Sequence, residues 1–429
     1  MPATAVVGLQ WGDEGKGKVV DYMADGFQAI ARFNGGSNAG HTVVVDGVKL
    51  TFHLIPSGAL RRKQLLIGNG VAVDPEVLLQ ELQELRARGV QPDLVVSDRA
   101  HLTLELHKLR DMLDEKRRGA SAVGTTLRGI SPTFADRASR VGVRLGDLLD
   151  GQSFTFATTV SGGWNSALIS KVYGGDGKGA VKRSFDRLKE FAAQLRPYVG
   201  DAAVKANDVL RAGGNLLLEG AQGFHLDVDF GTYPYVTATH ATAGYAAAGL
   251  GIPSRSIQRV VGVAKAYCTR VGAGPFVSEF SGELGERIRR RGGEYGATTG
   301  RPRRIGWFDA VATRYASLVS GATELALMKV DVLGGLDVVK LCVSYLDGDR
   351  QLKLPPPTVS ALLRCRPLYK EMRGWPDFKP EEWRAMAGRG PSALPEELRA
   401  YILAIEDLVG APVKLLSYGP ERGDMLELS

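Results

Sequence analysis

The sequence predicts an α/β fold: one large domain over residues 1–429, with a mostly parallel central sheet flanked by helices and carrying loop and helical insertions. Three observations predict it. Apolar runs of strand length alternate with amphipathic stretches of helical period. Glycines cluster between the apolar runs, and glycine reaches 54 of 429 residues, nearly double the roughly 7% of an average protein. No period of roughly 20 to 50 residues recurs, which excludes a repeat architecture.

Taken in order, Ala5–Leu9 reads as a strand, Gln10–Lys18 as a glycine-rich loop and Val19–Met23 onward as a helix. Ala29–Phe33 is the next strand and Asn34–Gly40 a second glycine-rich loop, so the chain begins as a β-loop-α-β unit. Further strands are expected at Gln64–Ile67, Leu94–Ser97, Leu216–Glu219, Arg259–Ala264, Leu325–Val330 and Val338–Tyr345. Helices are expected between them, at Pro75–Arg88, Leu102–Lys116, Ser184–Tyr198 and Pro395–Val409. Residues from roughly 100 to 200 read as a helical and loop elaboration. Within it Asp150–Gly179 is weakly patterned and rich in Gly and Ser, and Pro355–Arg389 carries prolines and tryptophans without clear period. Both are expected as loop elaborations, and neither reads as a flexible linker.

Apolar residues at 44% and charged residues at 24% allow a sizeable core. Cys268, Cys342 and Cys365 are widely separated, without metal-ligand spacing, and read as thiols in a reducing compartment. Met1–Val7 runs almost directly into an apolar stretch with no basic segment before it, and no apolar run approaches a membrane span. The expectation is a soluble, cytoplasmic protein without a membrane partner. The net charge of +7 is dispersed, and its densest run, Arg287-Ile288-Arg289-Arg290-Arg291, reads as the solvated face of a helix. No aromatic residues interleave with it, so a nucleic-acid partner is not expected. A small anionic substrate accounts for the balance equally well.

The sharpest local pattern is Gln10-Trp11-Gly12-Asp13-Glu14-Gly15-Lys16-Gly17-Lys18, between a strand and a helix. Glycines there let backbone N–H groups converge on anionic oxygens at the helix N-terminus, and a lysine adds a point charge. Gly12-x4-Gly17-Lys18 fits the first part of a phosphate loop, which makes the expected fold P-loop-NTPase-like. Val19 stands where Ser or Thr would bind magnesium, and the acid Asp13 sits inside the loop instead. Taken alone the pattern also fits a glycine-rich turn. The second loop, Asn34–Thr42, puts Asn38 and His41 at a strand's carboxyl end, where ligands bind in open α/β sheets. Downstream, Arg301, Arg303 and Arg304 lie beside Thr298 and Thr299. Guanidinium forks suit the paired carboxylates of a small diacid, and a basic surface loop is the bland reading.

Together these loops resemble the signature of the adenylosuccinate synthetase family. The resemblance rests on Gly12–Lys18 and Asn38-Ala39-Gly40-His41, then His53–Gly58, Gly124-Thr125-Thr126, Glu219–Gly223, Gly231–Thr237, Thr269–Phe276 and Gly296–Arg301, in family order over essentially the whole chain. It implies a GTP-dependent ligase that joins L-aspartate to C6 of inosine 5'-monophosphate (IMP), giving adenylosuccinate, GDP and phosphate. In that scheme O6 attacks the γ-phosphate, and the aspartate amine then displaces phosphate from C6. The resemblance also implies catalytic roles for Asp13, His41, Lys16 and Gln222. Asp13 takes the N1 proton and binds Mg²⁺ with the carbonyl of Gly40, while His41 stabilises or protonates the transferring phosphoryl group.

By the same resemblance IMP is held by Asn38, Thr126, Arg140, Gln222, Thr237 and Arg301. GTP falls to Gly12, Gly15, Lys16, Gly17, Lys18, Gly40, His41, Thr42, Arg303, Lys329, Asp331, Ser417 and Gly419. Aspartate falls to Ala297, Thr298, Thr299, Gly300, Arg301 and Arg303. The family's counterpart of Arg140 comes from the partner subunit, so a homodimer is implied. Met328-Lys329-Val330-Asp331 is a sensible guanine reader, because a carboxylate there can accept both N1–H and the N2 amine, which adenine does not offer.

The chain departs from the family pattern near the purine. Leu127 and Ser131 stand where the family has glycines, and Phe224-His225 and Ala238-Thr239-His240-Ala241 also differ. Leucine disfavours positive φ and adds bulk. The alternative expectation is a specialised homologue aminating another 6-oxopurine nucleotide (deoxy, 2-amino or an analogue), while retention of Asp13 favours IMP. A GTP-binding regulatory protein is a third reading, but it has no need of His41, Gln222 or the arginine loop.

Overall fold

Successive residues of each central strand point to opposite faces of the sheet, and the two faces feed separate cores. Ala3, Ala5 and Val7 enter one core and Val6 the other; Leu216 and Leu218 part from Leu217, and Leu325 and Leu327 from Ala326, in the same way. Burial on both faces is why these strands read as unbroken apolar runs. The computed structural model describes residues 3–296 and 300–428.

A ten-stranded sheet runs Met425–Glu427, Val413–Ser417, Glu324–Met328, Ile257–Lys265, Ala3–Gly8, Leu216–Gly223, Ala29–Arg32, Gln64–Ile67, Asp93–Ser97 and Val199–Gly200. Its pairs are parallel except at the Met425–Glu427 edge, which is antiparallel. Ala3–Gly8 lies in mid-sheet, so the loop after it opens at the centre. The helix Pro75–Ala87 starts where expected: Asp74 accepts from the N–H groups of Glu76 and Val77, and proline takes the first turn. No helix among the described residues is long and apolar enough to cross a membrane.

The expected strand at Val338 is present in a different sheet, and three other expectations are corrected. Val338–Asp347 does not join the main sheet but a second, six-stranded one with Tyr267–Arg270 and Arg304–Asp309. Its antiparallel partner, Arg366–Arg373, comes from the supposedly unpatterned Pro355–Arg389 stretch, which also holds the helices Val359–Arg364 and Pro380–Arg389. That partner strand alternates only between exposed and half-buried positions, with no fully buried residue to mark it in the sequence.

Asp150–Gly179 is mostly helix rather than loop. Gly151–Ala167 and Gly177–Leu195 are capped by Asp150 and Asp176, which accept from the N–H groups of Ser153 and Gly179. Its small residues serve packing: a Cβ on Gly162 would lie 3.1 Å from Val181, and one on Gly177 2.3 Å from the Ser166 carbonyl. Those same residues weaken the apolar period that would have announced a helix.

The arginine run lies on the helix Glu283–Gly292 but is not simply solvated. Arg291 donates to the carbonyls of Asp331 (2.6 Å) and Gly334 (2.8 Å), and Arg289 to that of Arg303 (2.8 Å). Two of its arginines therefore fasten the segments carrying Asp331 and Arg303.

Candidate active site

Loops following the central strands converge on a cavity of about 510 Å³, a volume within the range of small-molecule sites. The first loop (Trp11–Lys18) and the second (Asn38–Thr42) line it together with Thr126, Gln222, Thr237, Arg301, Arg303, Lys329, Ser417 and Gly419. Arg140, Gly300 and Asp331 are not among the lining residues. Ala297, Thr298 and Thr299 lie outside the described residues.

The first loop is held by an acid whose role the sequence did not disclose. Glu14 is fully buried, accepts from the N–H groups of Gly12 (2.9 Å) and Gln10 (3.2 Å), and takes the Lys16 ammonium at 2.5 Å. Its carboxylate fills the space a Cβ on Gly8 or Gly223 would need, 2.4 Å away in each case. The chain then turns at Gly15, at φ 99°, into the helix Lys16–Met23. Gly17 lets the two loops touch, since a Cβ there would sit 2.9 Å from His41 Cβ and 3.0 Å from Ser57 Oγ. Gly17→Ala is expected to cut turnover by about 10²-fold with an unchanged far-ultraviolet circular dichroism spectrum, because a displacement of about 1 Å is enough for that loss. Parental kcat in the purified variant would refute this.

Lys18 lines the cavity, and its ammonium is bound to the C-terminal loop. It donates to Ser417 Oγ (2.8 Å) and to the carbonyls of Gly419 (2.7 Å) and Asp424 (2.9 Å). Those bonds occupy all three donors of an ammonium, so the side chain ties the C-terminal loop to the first loop. Burial lowers its pKa to about 8, opposed by Asp424 and Asp331.

His41 lies against the fully buried Glu219, with Nδ1 on the carboxylate. The same carboxylate accepts from Ser57 N–H (2.8 Å) and Ser57 Oγ (2.6 Å). Burial pushes the His41 pKa down, Glu219 pushes back up, and the Arg32 and Lys16 charges push down again. The ring is therefore neutral at rest, with Nε2 as the nitrogen not engaged by Glu219.

Elsewhere in the cavity Gln222 Nε2 donates to Asn38 Oδ1 (3.1 Å), while Gln222 Oε1 is buried without a partner. Asn34 fastens that corner by exchanging hydrogen bonds with the backbone of Ala221 (2.8 and 3.1 Å). Arg301 Nη2 donates to the carbonyl of Gly124 (3.1 Å), placing it against the Gly124–Thr126 loop. Leu127 takes the left-handed conformation at φ 57° with its side chain 47% exposed, so the backbone keeps a glycine-like shape despite the leucine.

Asp13, at φ 58° and facing the cavity, pairs with Arg303 (Nε to Oδ2, 2.8 Å). Arg303 also donates through Nη1 to Glu294 Oε2 (2.5 Å). Of the other two arginines in that run, Arg301 faces the cavity and Arg304 turns away to pair with Glu279 (Nε to Oε1, 2.7 Å). Asp331 lies behind the cavity wall with Oδ1 buried and unpartnered, and burial raises its pKa. Asp13, Gln222, Lys329, Arg140 and Leu127 are all non-glycine residues at positive φ. Such conformations cost about 1–2 kcal/mol each and gather at functional sites.

Asp227, Asp229 and His240 also lie close enough to suggest a metal cluster. Asp227, however, already accepts from the N–H groups of Asp229 (2.9 Å), Phe230 (3.2 Å) and Ala241 (2.5 Å), which makes it the brace of a turn. Sequence reasoning assigned no role to Glu14, Glu219, Lys265 or Glu294. Glu219 did leave a signal, an acid closing the apolar run Leu216–Leu218, since a buried carboxylate must be paired.

Residues 5–426 match the family model described as adenylosuccinate synthetase. Adenylosuccinate synthetase of Heliobacterium modesticaldum is 45% identical over 100% of this chain and 99% of its own length. That of Bacillus cytotoxicus is 44% identical over 98% and 97%. Among solved structures, the fully ligated adenylosuccinate synthetase of Plasmodium falciparum aligns at TM-score 0.90 with 33% identity, covering 100% of both chains. The cyanophage S-2L succinoaminodeoxyadenylate synthetase bound to dGMP and dATP aligns at TM-score 0.63 with 21% identity over 99% and 95%, a likeness of fold alone.

Proposed function

Since the chain belongs to the adenylosuccinate synthetase family, we infer that the cavity at the centre of its sheet is a ligase active site. The protein joins L-aspartate to C6 of IMP with GTP as co-substrate, through a 6-phosphoryl intermediate. The observation that carries the assignment to this cavity is Asp13, held in a left-handed turn and lining the same cavity as Lys16 and His41.

In the proposed mechanism Asp13 accepts the N1 proton of IMP, so that O6 becomes nucleophilic. Lys16 and the loop N–H groups neutralise and orient the γ-phosphate, and positioning with charge neutralisation is most of what phosphoryl transfer requires. His41, held by Glu219, faces the charge that builds on the transferring group; a proton taken up from solvent at Nε2 makes the ring an imidazolium, and that Nε2–H is donated to the growing charge. Asn38, Thr126 and Thr237 receive the nucleotide phosphate, Gln222 the base, and Arg301 the ribose and aspartate. A magnesium ion fits this donor set. Arg303 engages only Oδ2 of Asp13, and the Gly40 backbone lines the same cavity; carboxylate, carbonyl and phosphate oxygens are the donors Mg²⁺ prefers. Bound there by Asp13 and Gly40, it supplies charge neutralisation on the nucleotide phosphates.

For GTP, the buried and unpartnered Asp331 oxygen supports guanine recognition, with the Ser417–Gly419 loop anchored by Lys18. Asp331→Asn puts an amide donor opposite the guanine donors, and KM for GTP is expected to rise about 100-fold, two charge-assisted bonds being lost. An unchanged KM in steady-state assays refutes the contact.

A homodimer is proposed because Arg140 is exposed and outside its own chain's cavity, free to serve a partner's. The helix Gly151–Ala167 also presents Phe156 (74% exposed), Val160 and Trp164 in one stripe. Phe156→Glu is expected to yield a monomer in sedimentation, with a raised KM for IMP. A dimer with parental KM would count against the stripe as the interface. The three buried, unpaired cysteines support a reducing, cytoplasmic setting.

Mixing the protein with GTP, Mg²⁺, aspartate and IMP tests the function directly, since the product changes the ultraviolet absorbance of the purine. The relatives at 44–45% identity favour IMP over a variant nucleotide. Turnover with dGMP and none with IMP would reverse that choice.

A further inference from the structure

A fully buried carboxylate outside the mechanism just given links its two halves. Glu294 is 0% exposed and takes four donors: Lys329 Nζ at 2.8 Å, Tyr267 OH at 2.5 Å and Lys265 Nζ at 3.3 Å on Oε1, and Arg303 Nη1 at 2.5 Å on Oε2. Lys329 begins the turn that carries Asp331, and Arg303 is the partner of Asp13. One anion therefore spans the guanine side and the acid–base side of the cavity.

We propose that Glu294 is a positioning residue for the ligase reaction: its two oxygens hold Lys329, on the segment that carries Asp331, and Arg303, the partner of Asp13, in fixed relation across the cavity. The inference rests on the reading of this cavity as the ligase site. Geometry suits the task. Glu294 is immobilised by Tyr267, whose hydroxyl burial keeps protonated and donating, and by Lys265, buried beside it. The surrounding cations and hydrogen bonds hold the Glu294 carboxyl ionised, well below the ordinary glutamate range, against the cost of burial.

The alternative is a purely structural role, compensating the buried Lys265. Two variants separate the roles, each assayed beside the parent protein with IMP, aspartate and GTP. Glu294→Asp keeps the charge but is one methylene short, so it cannot reach both Lys329 and Arg303. KM for aspartate and for GTP is expected to rise at least about tenfold, with Tm near the parent's. Glu294→Gln/Lys265→Met removes the buried pair together, so its Tm should recover from that of Glu294→Gln, which strands Lys265, while both KM values stay raised. Parental KM values in Glu294→Asp overturn the proposal. So does the double variant if its KM values recover together with its Tm. Should the double variant fail to fold, Glu294→Asp decides alone. Loss of the underlying reading is seen separately, as Asp13→Asn retaining activity.

Discussion

Asp13→Asn is expected to leave a folded protein that ligates at least about 10² to 10⁴ times more slowly, the usual worth of a positioned general base. The substitution is isosteric, and asparagine is among the few residues that accept the left-handed conformation seen at φ 58°. Backbone and cavity shape should therefore survive. What is lost is chemical: an amide oxygen does not take the N1 proton, and it is a poorer ligand for a hard cation. The ion pair with Arg303 goes too, but Asp13 is 30% exposed, and pairs open to water contribute only about 0–1 kcal/mol. Tm should fall by a few degrees at most while kcat collapses. Saturating assays with IMP, together with thermal melts, read both quantities. A variant turning over at near-parental rate would remove Asp13 from the proton transfer.

The second large effect is expected at a residue that touches no substrate. Glu219→Gln replaces the carboxylate that receives His41 Nδ1 and both donors of Ser57. A neutral amide can present its N–H to Nδ1 and reverse the tautomer, and it does not support an imidazolium. Loss of the equivalent carboxylate in hydrolase triads costs about 10⁴ in kcat, and a fall of 10² to 10⁴ is expected here. Arg32, fully buried nearby, also loses charge compensation; breaking a buried pair costs about 3–5 kcal/mol, so Tm should drop visibly. The two losses are separable, because His41→Asn should lower kcat without exposing Arg32 to the same imbalance. If Glu219→Gln lowered Tm while kcat per folded molecule stayed parental, Glu219 would be a structural counter-ion only.

Most of the cavity wall was legible in the sequence because the chemistry lies in contiguous loops following strands. Gly12–Lys18 and Asn38–Thr42 carry glycines where a backbone must approach an anion, and those glycines survive as local pattern. The anchoring role of Lys18 was not legible for the opposite reason: nothing near it in sequence announces acceptors at Ser417, Gly419 and Asp424, some four hundred residues away. The solvated reading of the arginine run holds for Arg287 and Arg290, which are exposed, but not for Arg289 and Arg291, whose carbonyl partners belong to other segments.

Local pattern alone determined that the chain is α/β, where its main strands lie, and which loops bring glycines and the acid at position 13 to the cavity. It did so because alternation across a sheet and the backbone freedom of glycine are properties of neighbouring residues. Tertiary structure decided that Glu14, Glu219 and Glu294 are the buried anions around which Lys16, His41, Arg303 and Lys329 are set. A buried charge is tolerable only where partners from other segments surround it, and which segments meet is settled by packing, not by the order of residues along the chain.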